Sequence, residues 1–132
     1  MTSRFLIVFL SLSGLLISIA LSAAHVSGTS SCPLLLAIPA CFIVAGGYFL
    51  ILISSGLSNV GRKVLLLFGL APVLLLASAA SVFEFLQGPV CPSPYGLVPL
   101  CYVSFLLSTL IGGIWALELH HSRTLRHRGR LR

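Results

Sequence analysis

Acidic residues are almost missing from this chain: Glu84 and Glu118 are the two carboxylates in 132 residues, against eight lysines and arginines. Charged residues of both signs make up 8%, far below the roughly one quarter usual in soluble domains. So little polar material cannot coat a water-exposed fold. It also argues against a proton pump or ion transporter, whose paths are lined by charged or strongly polar groups. Nothing points to nucleotide binding, hydrolysis or a Ser-His-Asp arrangement, and the polar connections are too short to build one.

Apolar residues fill the space instead. They form 58% of the chain, and the mean hydropathy is +1.12, values that belong to a membrane protein. Crossing a hydrocarbon core of about 30 Å takes roughly twenty apolar residues in a helix, because lipid leaves the backbone no partner but itself. Four stretches qualify: Phe5 to Ala23, Ala40 to Ser58, Val64 to Phe85 and Leu100 to Leu119. The expected fold is an all-α integral membrane four-helix bundle forming a single domain over residues 1–132, with a basic tail at 120–132. The first segment has a second reading as a secretory leader, with Arg4 before the apolar run and Leu21-Ser22-Ala23-Ala24 as a cleavage site. Its length and its place in the pattern below favour retention as a span.

Arg4, Arg62, Lys63 and the tail arginines Arg123, Arg126, Arg128, Arg130 and Arg132 fall on one side of four spans. The positive-inside rule makes that side cytoplasmic, with both termini there. The tail holds five arginines and three histidines in thirteen residues. On a membrane-tethered chain it reads as a topology anchor touching anionic headgroups rather than a nucleic-acid patch. His120 and His121 are adjacent and point about 100° apart on a helix, a poor metal pair. Gly14 with Ser18, Gly46 with Gly47, Ala77 with Ser81, and Gly112 with Gly113 are small residues suited to close helix contact. Pro72 predicts a kink in the third span.

All four cysteines fall in one repeated pattern. Cys32-Pro33 precedes Pro39-Ala40-Cys41-Phe42, and Cys91-Pro92 precedes Pro99-Leu100-Cys101-Tyr102. Each copy joins two apolar segments, which suggests two helix, cysteine loop, helix units of about sixty residues, at about 5–58 and 64–119. The positive-inside orientation turns both cysteine loops outward, to a periplasm or equivalent oxidising space where disulfides are the default. Three full pairings are open: within each loop, between equivalents, or crosswise. Pro39 and Pro99 suit a first helical turn, which places Cys41 and Cys101 where free N–H groups and the helix dipole favour a thiolate. The same placement suits an inert disulfide. Glu84, in Val82-Phe83-Glu84-Phe85 near the outer end of the third span, reads either as a proton acceptor beside a thiol, or contact to a headgroup or partner subunit, or as an interfacial carboxylate. Glu118, beside Trp115 and the tail, reads as a boundary residue.

Four helices, both termini inside and a cysteine pair in each outward loop make the chain resemble, in topology, the bacterial membrane oxidases that make disulfides by passing electrons to quinone. The four-helix core of vitamin K epoxide reductases is a looser likeness. The resemblance implies that one pair of Cys32, Cys41, Cys91 and Cys101 exchanges with a soluble thiol partner while the other relays electrons to a quinone. The Cys-x-x-Cys pair and nearby arginine of the bacterial enzymes have no counterpart here.

Three functions follow as expectations: thiol-disulfide exchange through two cysteine relays, a non-catalytic accessory or assembly subunit of a larger membrane complex whose disulfides staple its loops, or a metal or haem held by the four thiolates with His25. Their spacing is not that of a zinc ribbon, so no metal ligands are assigned. Tyr48, Trp115 and the phenylalanines are candidates for lining a ring-shaped cofactor site, although packing is the commoner use of aromatics in spans.

Overall fold

The computed structural model describes residues 2–28, 34–35, 38–57, 59–88 and 99–129, with the backbone alone for residues 2, 34–35, 59 and 122–129. Cys32, Cys91, Pro33 and Pro92 lie outside the described residues, as do the side chains of the tail arginines and His127.

Four helices carry the fold: α1 (Thr2–Val26), α2 (Ala40–Ser54), α3 (Asn59–Gln87) and α4 (Leu100–Gly129). Between α1 and α2 the strands β1 (Leu34–Leu35) and β2 (Ile38–Pro39) pair antiparallel, with Leu34 opposite Pro39 and Leu35 opposite Ile38. The helices pack as a ring, α1 against α2 and α4, α3 against α2 and α4. The starts of α1 and α3 and the end of α4 therefore share one end, here the basic end. The starts of α2 and α4 share the other, the cysteine end.

Stretches Ser3–Val26, Val60–Gln87 and Leu100–His121 are long and apolar enough to cross a membrane. The fourth expected span, Ala40 to Ser58, is shorter than its apolar run. Helix α2 has fifteen residues, about 22 Å at 1.5 Å per residue, some 8 Å less than a hydrocarbon core. Its end is set by hydroxyls: Ser54 Oγ and Ser55 Oγ donate to the carbonyls of Ile51 and Leu52 at 2.6 Å. The following N–H groups of Ser55, Gly56 and Leu57 then reach back three residues, to Leu52, Ile53 and Ser54, the tighter turn that closes many helices. The other helices extend past their apolar runs, α3 starting at Asn59 and α4 continuing to Gly129. Helix α3 passes through Pro72 without interruption.

The interior is built from small residues as much as large ones, as in bundles where lipid removes the hydrophobic contrast between inside and outside. On α1 the buried positions are Ile7, Ser11, Gly14, Ser18 and Ser22, spaced by three and four. They face Tyr48, Ile51, Leu66, Leu70, Val73 and Ile111, the core of the bundle. Gly47 and Gly69 bring α2 and α3 into backbone contact, since a Cβ on Gly47 would sit 2.8 Å from the Gly69 carbonyl oxygen and one on Gly69 2.7 Å from that of Gly47. Gly46 and Gly113, expected to join such contacts, face open space. Phenylalanines take the lipid side, with Phe5, Phe9, Phe49, Phe68 and Phe85 all exposed.

Candidate functional site at the cysteine end

Pro39 caps α2 in an extended conformation (φ −61°, ψ 129°) with no side-chain hydrogen bond to the first turn. Its fixed φ aims the chain into the helix, and Ala40 and Cys41 become the first two helical residues. Helix α4 begins the same way at Leu100 and Cys101, and Tyr102 N–H donates to the Pro99 carbonyl at 3.1 Å. Both cysteines thus occupy second positions, as expected from the prolines. Both are disulfide-bonded. Among the described residues no group of three or more His, Cys, Asp or Glu side chains comes together.

Directly below these starts, a cavity of about 30 Å³ opens between α1, α2 and α4. Gly14 and Ser18 form one wall, Val44 and Tyr48 another, and Leu100, Ser104 and Leu107 the third. Tyr48 is fully buried, lies against Gly14, and donates its hydroxyl hydrogen to the Ser104 carbonyl at 3.2 Å, with Ser104 Oγ at 3.3 Å. Such a space suits water-sized guests. Of the aromatic residues named as candidates for lining a ring-shaped cofactor site, Tyr48 is hydrogen-bonded core, and Trp115 packs at the core's edge.

The buried hydroxyls are spoken for within their own helices. Ser11 donates to the Ile7 carbonyl at 2.7 Å, Ser18 to that of Gly14 at 2.8 Å and Ser22 to that of Ser18 at 2.8 Å; Ser108 on α4 donates to the carbonyl of Ser104 at 2.8 Å. Each of these hydroxyl hydrogens is engaged by a carbonyl of its own helix.

The two carboxylates have opposite surroundings. Glu118 accepts from Arg62 Nη2 at 2.8 Å and from Ser3 Oγ, which ties α1, α3 and α4 together at the basic end. The residue read from sequence as a boundary residue is also a clamp between three helices. Ser3 was not singled out by sequence at all. The signal that finds it is depth: in a four-span topology residues 3, 62 and 118 fall at one level. Glu84 lies at the cysteine end of α3, with Oε2 buried and without a hydrogen-bond partner.

Comparison with known protein families, with curated proteins and with solved structures gives no match for this chain.

Proposed function

We propose that this membrane-embedded chain performs thiol-disulfide exchange at its cysteine end. The reading is carried by the starts of α2 and α4, where Cys41 and Cys101 are each the second residue of a proline-started helix and each disulfide-bonded. We assign their partners as Cys32 for Cys41 and Cys91 for Cys101, the pairing within each loop, which needs only local folding and repeats in both copies of the sequence pattern.

Exchange then runs as follows. A thiolate of a soluble dithiol protein attacks one sulfur of the Cys32–Cys41 bond, and Cys41 leaves as thiolate, stabilised by the free N–H groups and dipole of α2. The partner's second thiolate resolves the mixed disulfide. The partner gains a disulfide, this chain gains two thiols, and two protons pass from the partner's thiols to Cys32 and Cys41. Glu84, at the same end, is the nearest carboxylate in sequence to the second cysteine pair and the candidate to accept a proton there. On the positive-inside reading this chemistry faces an oxidising outer space, which favours the disulfide form; each further turnover takes two electrons and two protons from Cys32 and Cys41 to an oxidant such as a quinone.

A second reading, an accessory subunit of a larger membrane complex with both disulfides as inert staples, is favoured by the unpartnered Glu84 oxygen and the small cavity. Thiol trapping in native membranes with peptide mapping separates the two. Exchange requires a Cys32–Cys41 linked peptide and its reduction by low dithiothreitol while the protein stays folded. Two disulfides that resist reduction until the bundle is unfolded establish the staple reading and end the exchange one.

A further inference from the structure

Glu84 sits in a place where a carboxylate is costly on three counts. It lies inside the apolar stretch Val60–Gln87, where a charge is expensive, and its Oε2 is buried without a hydrogen-bond partner. It also occupies the last turn of α3, where the carbonyl end of the helix dipole disfavours negative charge and no basic residue offsets it.

Among the described residues no cation pairs with it. Arg62, on the same helix, is twenty-two residues away (84 minus 62), about 33 Å along the axis, and is engaged by Glu118. Arg4 and Lys63 belong to that basic end as well. His25, at the cysteine end of α1, makes no ion pair with Glu84 among the described residues. A second copy in the same orientation sets Glu84 against Glu84, with its own arginines a helix length away.

The surface around Glu84 is apolar and open. Val82 is 57% exposed, Phe83 53%, Phe85 85% and Leu86 71%, a wide collar at the end of α3. An uncompensated negative charge within such a collar is complementary to a cation carried on an apolar helix. We propose that the cysteine end of α3 docks a transmembrane helix of a different protein, whose lysine or arginine pairs with Glu84 while its apolar side chains cover Phe83, Phe85 and Leu86. This surface does not depend on the disulfides turning over, so the result of thiol trapping leaves it standing.

The test places a photo-crosslinking phenylalanine analogue at position 85 in the full chain expressed in native membranes. The expected result is one protein adduct whose linked peptide maps to a transmembrane segment bearing a lysine or arginine. Glu84→Gln, which keeps shape and removes charge, abolishes that adduct while leaving the purified protein's unfolding curve unchanged or shifted to higher denaturant. Pairing Glu84→Lys with reversal of the partner's cation to glutamate restores the adduct. An adduct that persists in Glu84→Gln, one made only with lipid or a second copy, or a linked segment without a basic residue overturns the proposal. Loss of stability in Glu84→Gln overturns it too, because the carboxylate then has a partner within the chain.

Discussion

Arg62 and Glu118, fifty-six residues apart, form an ion pair in which the arginine side chain is 12% exposed and the glutamate side chain 26%. The pair holds the start of α3 to the end of α4, and Ser3 adds the start of α1. Because Arg62 Nε is buried without a partner, the arginine already bears part of its desolvation uncompensated. Removing one member leaves the other charge stranded.

Replacing Arg62 by Met or Glu118 by Gln is expected to lower unfolding free energy by about 2 kcal/mol, between the values for exposed and fully buried pairs. The double variant loses less than the two single losses summed, because no stranded charge remains. Denaturant titration in mild detergent over the four-protein cycle measures the coupling. Additive losses would show that the pair contributes nothing.

Two adjacent glycines on α2 make opposite predictions. A Cβ at Gly47 would come 2.3 Å from Val73 Cγ2 and 2.8 Å from the Gly69 carbonyl oxygen, whereas one at Gly46 meets nothing within 4 Å. Gly47→Ala therefore forces α2 and α3 apart and is expected to cost about 2 kcal/mol, within the range for overpacked cores. Gly46→Ala is expected to be neutral or to stabilise by up to about 1 kcal/mol, since alanine loses less backbone freedom in a helix. Equal effects at the two sites would refute the close approach of these helices.

Tyr48 and Gly14 form a fitted pair. A Cβ at Gly14 would lie 2.5 to 2.8 Å from three ring carbons of Tyr48. Gly14→Ala is expected to destabilise the bundle, and combining it with Tyr48→Leu, which withdraws the ring, should recover most of the loss. Tyr48→Phe keeps the ring and removes the bonds to Ser104, at an expected cost of about 0.6–1 kcal/mol, typical of polar contacts between membrane helices. The same unfolding assay reads all three variants.

Helix number, the apolar runs and the proline-started cysteines were legible because each rests on local chemistry: run length and the fixed φ of proline. The partners of small and polar residues were not. Nothing local distinguishes Gly47, in contact, from Gly46, in open space; the difference is the direction each faces around one helix. Likewise Glu118 has ordinary neighbours in sequence, and its bond to Arg62 exists because α3 and α4 run antiparallel and bring those depths together. The early end of α2 was written in Ser54, Ser55 and Gly56, but serines inside spans elsewhere in this chain, such as Ser11 and Ser18, bond to their own carbonyls without ending the helix. Context decides which outcome follows.

The short α2 makes sidedness a sharp test. If its fifteen residues, about 22 Å of helix, cross the membrane with the turn at Ser55 to Leu57, then the cysteine end and the basic end lie on opposite faces, and the arginines put the basic end inside. After reduction of sealed cells, a membrane-impermeant maleimide should label Cys41 or its disulfide partner from outside. A cysteine introduced at Lys63, which is exposed, in a background with the native cysteines replaced, should react only in inverted vesicles. The same reagent tests the alternative arrangement: if both positions label from one side, α2 does not cross, the bundle has an odd number of spans, and α1's start lies across the membrane from α3's start and α4's arginine-rich end. The Ser3 to Glu118 contact joins α1's start to α4's end directly, so that outcome would also break the bond that holds α1 at the basic end.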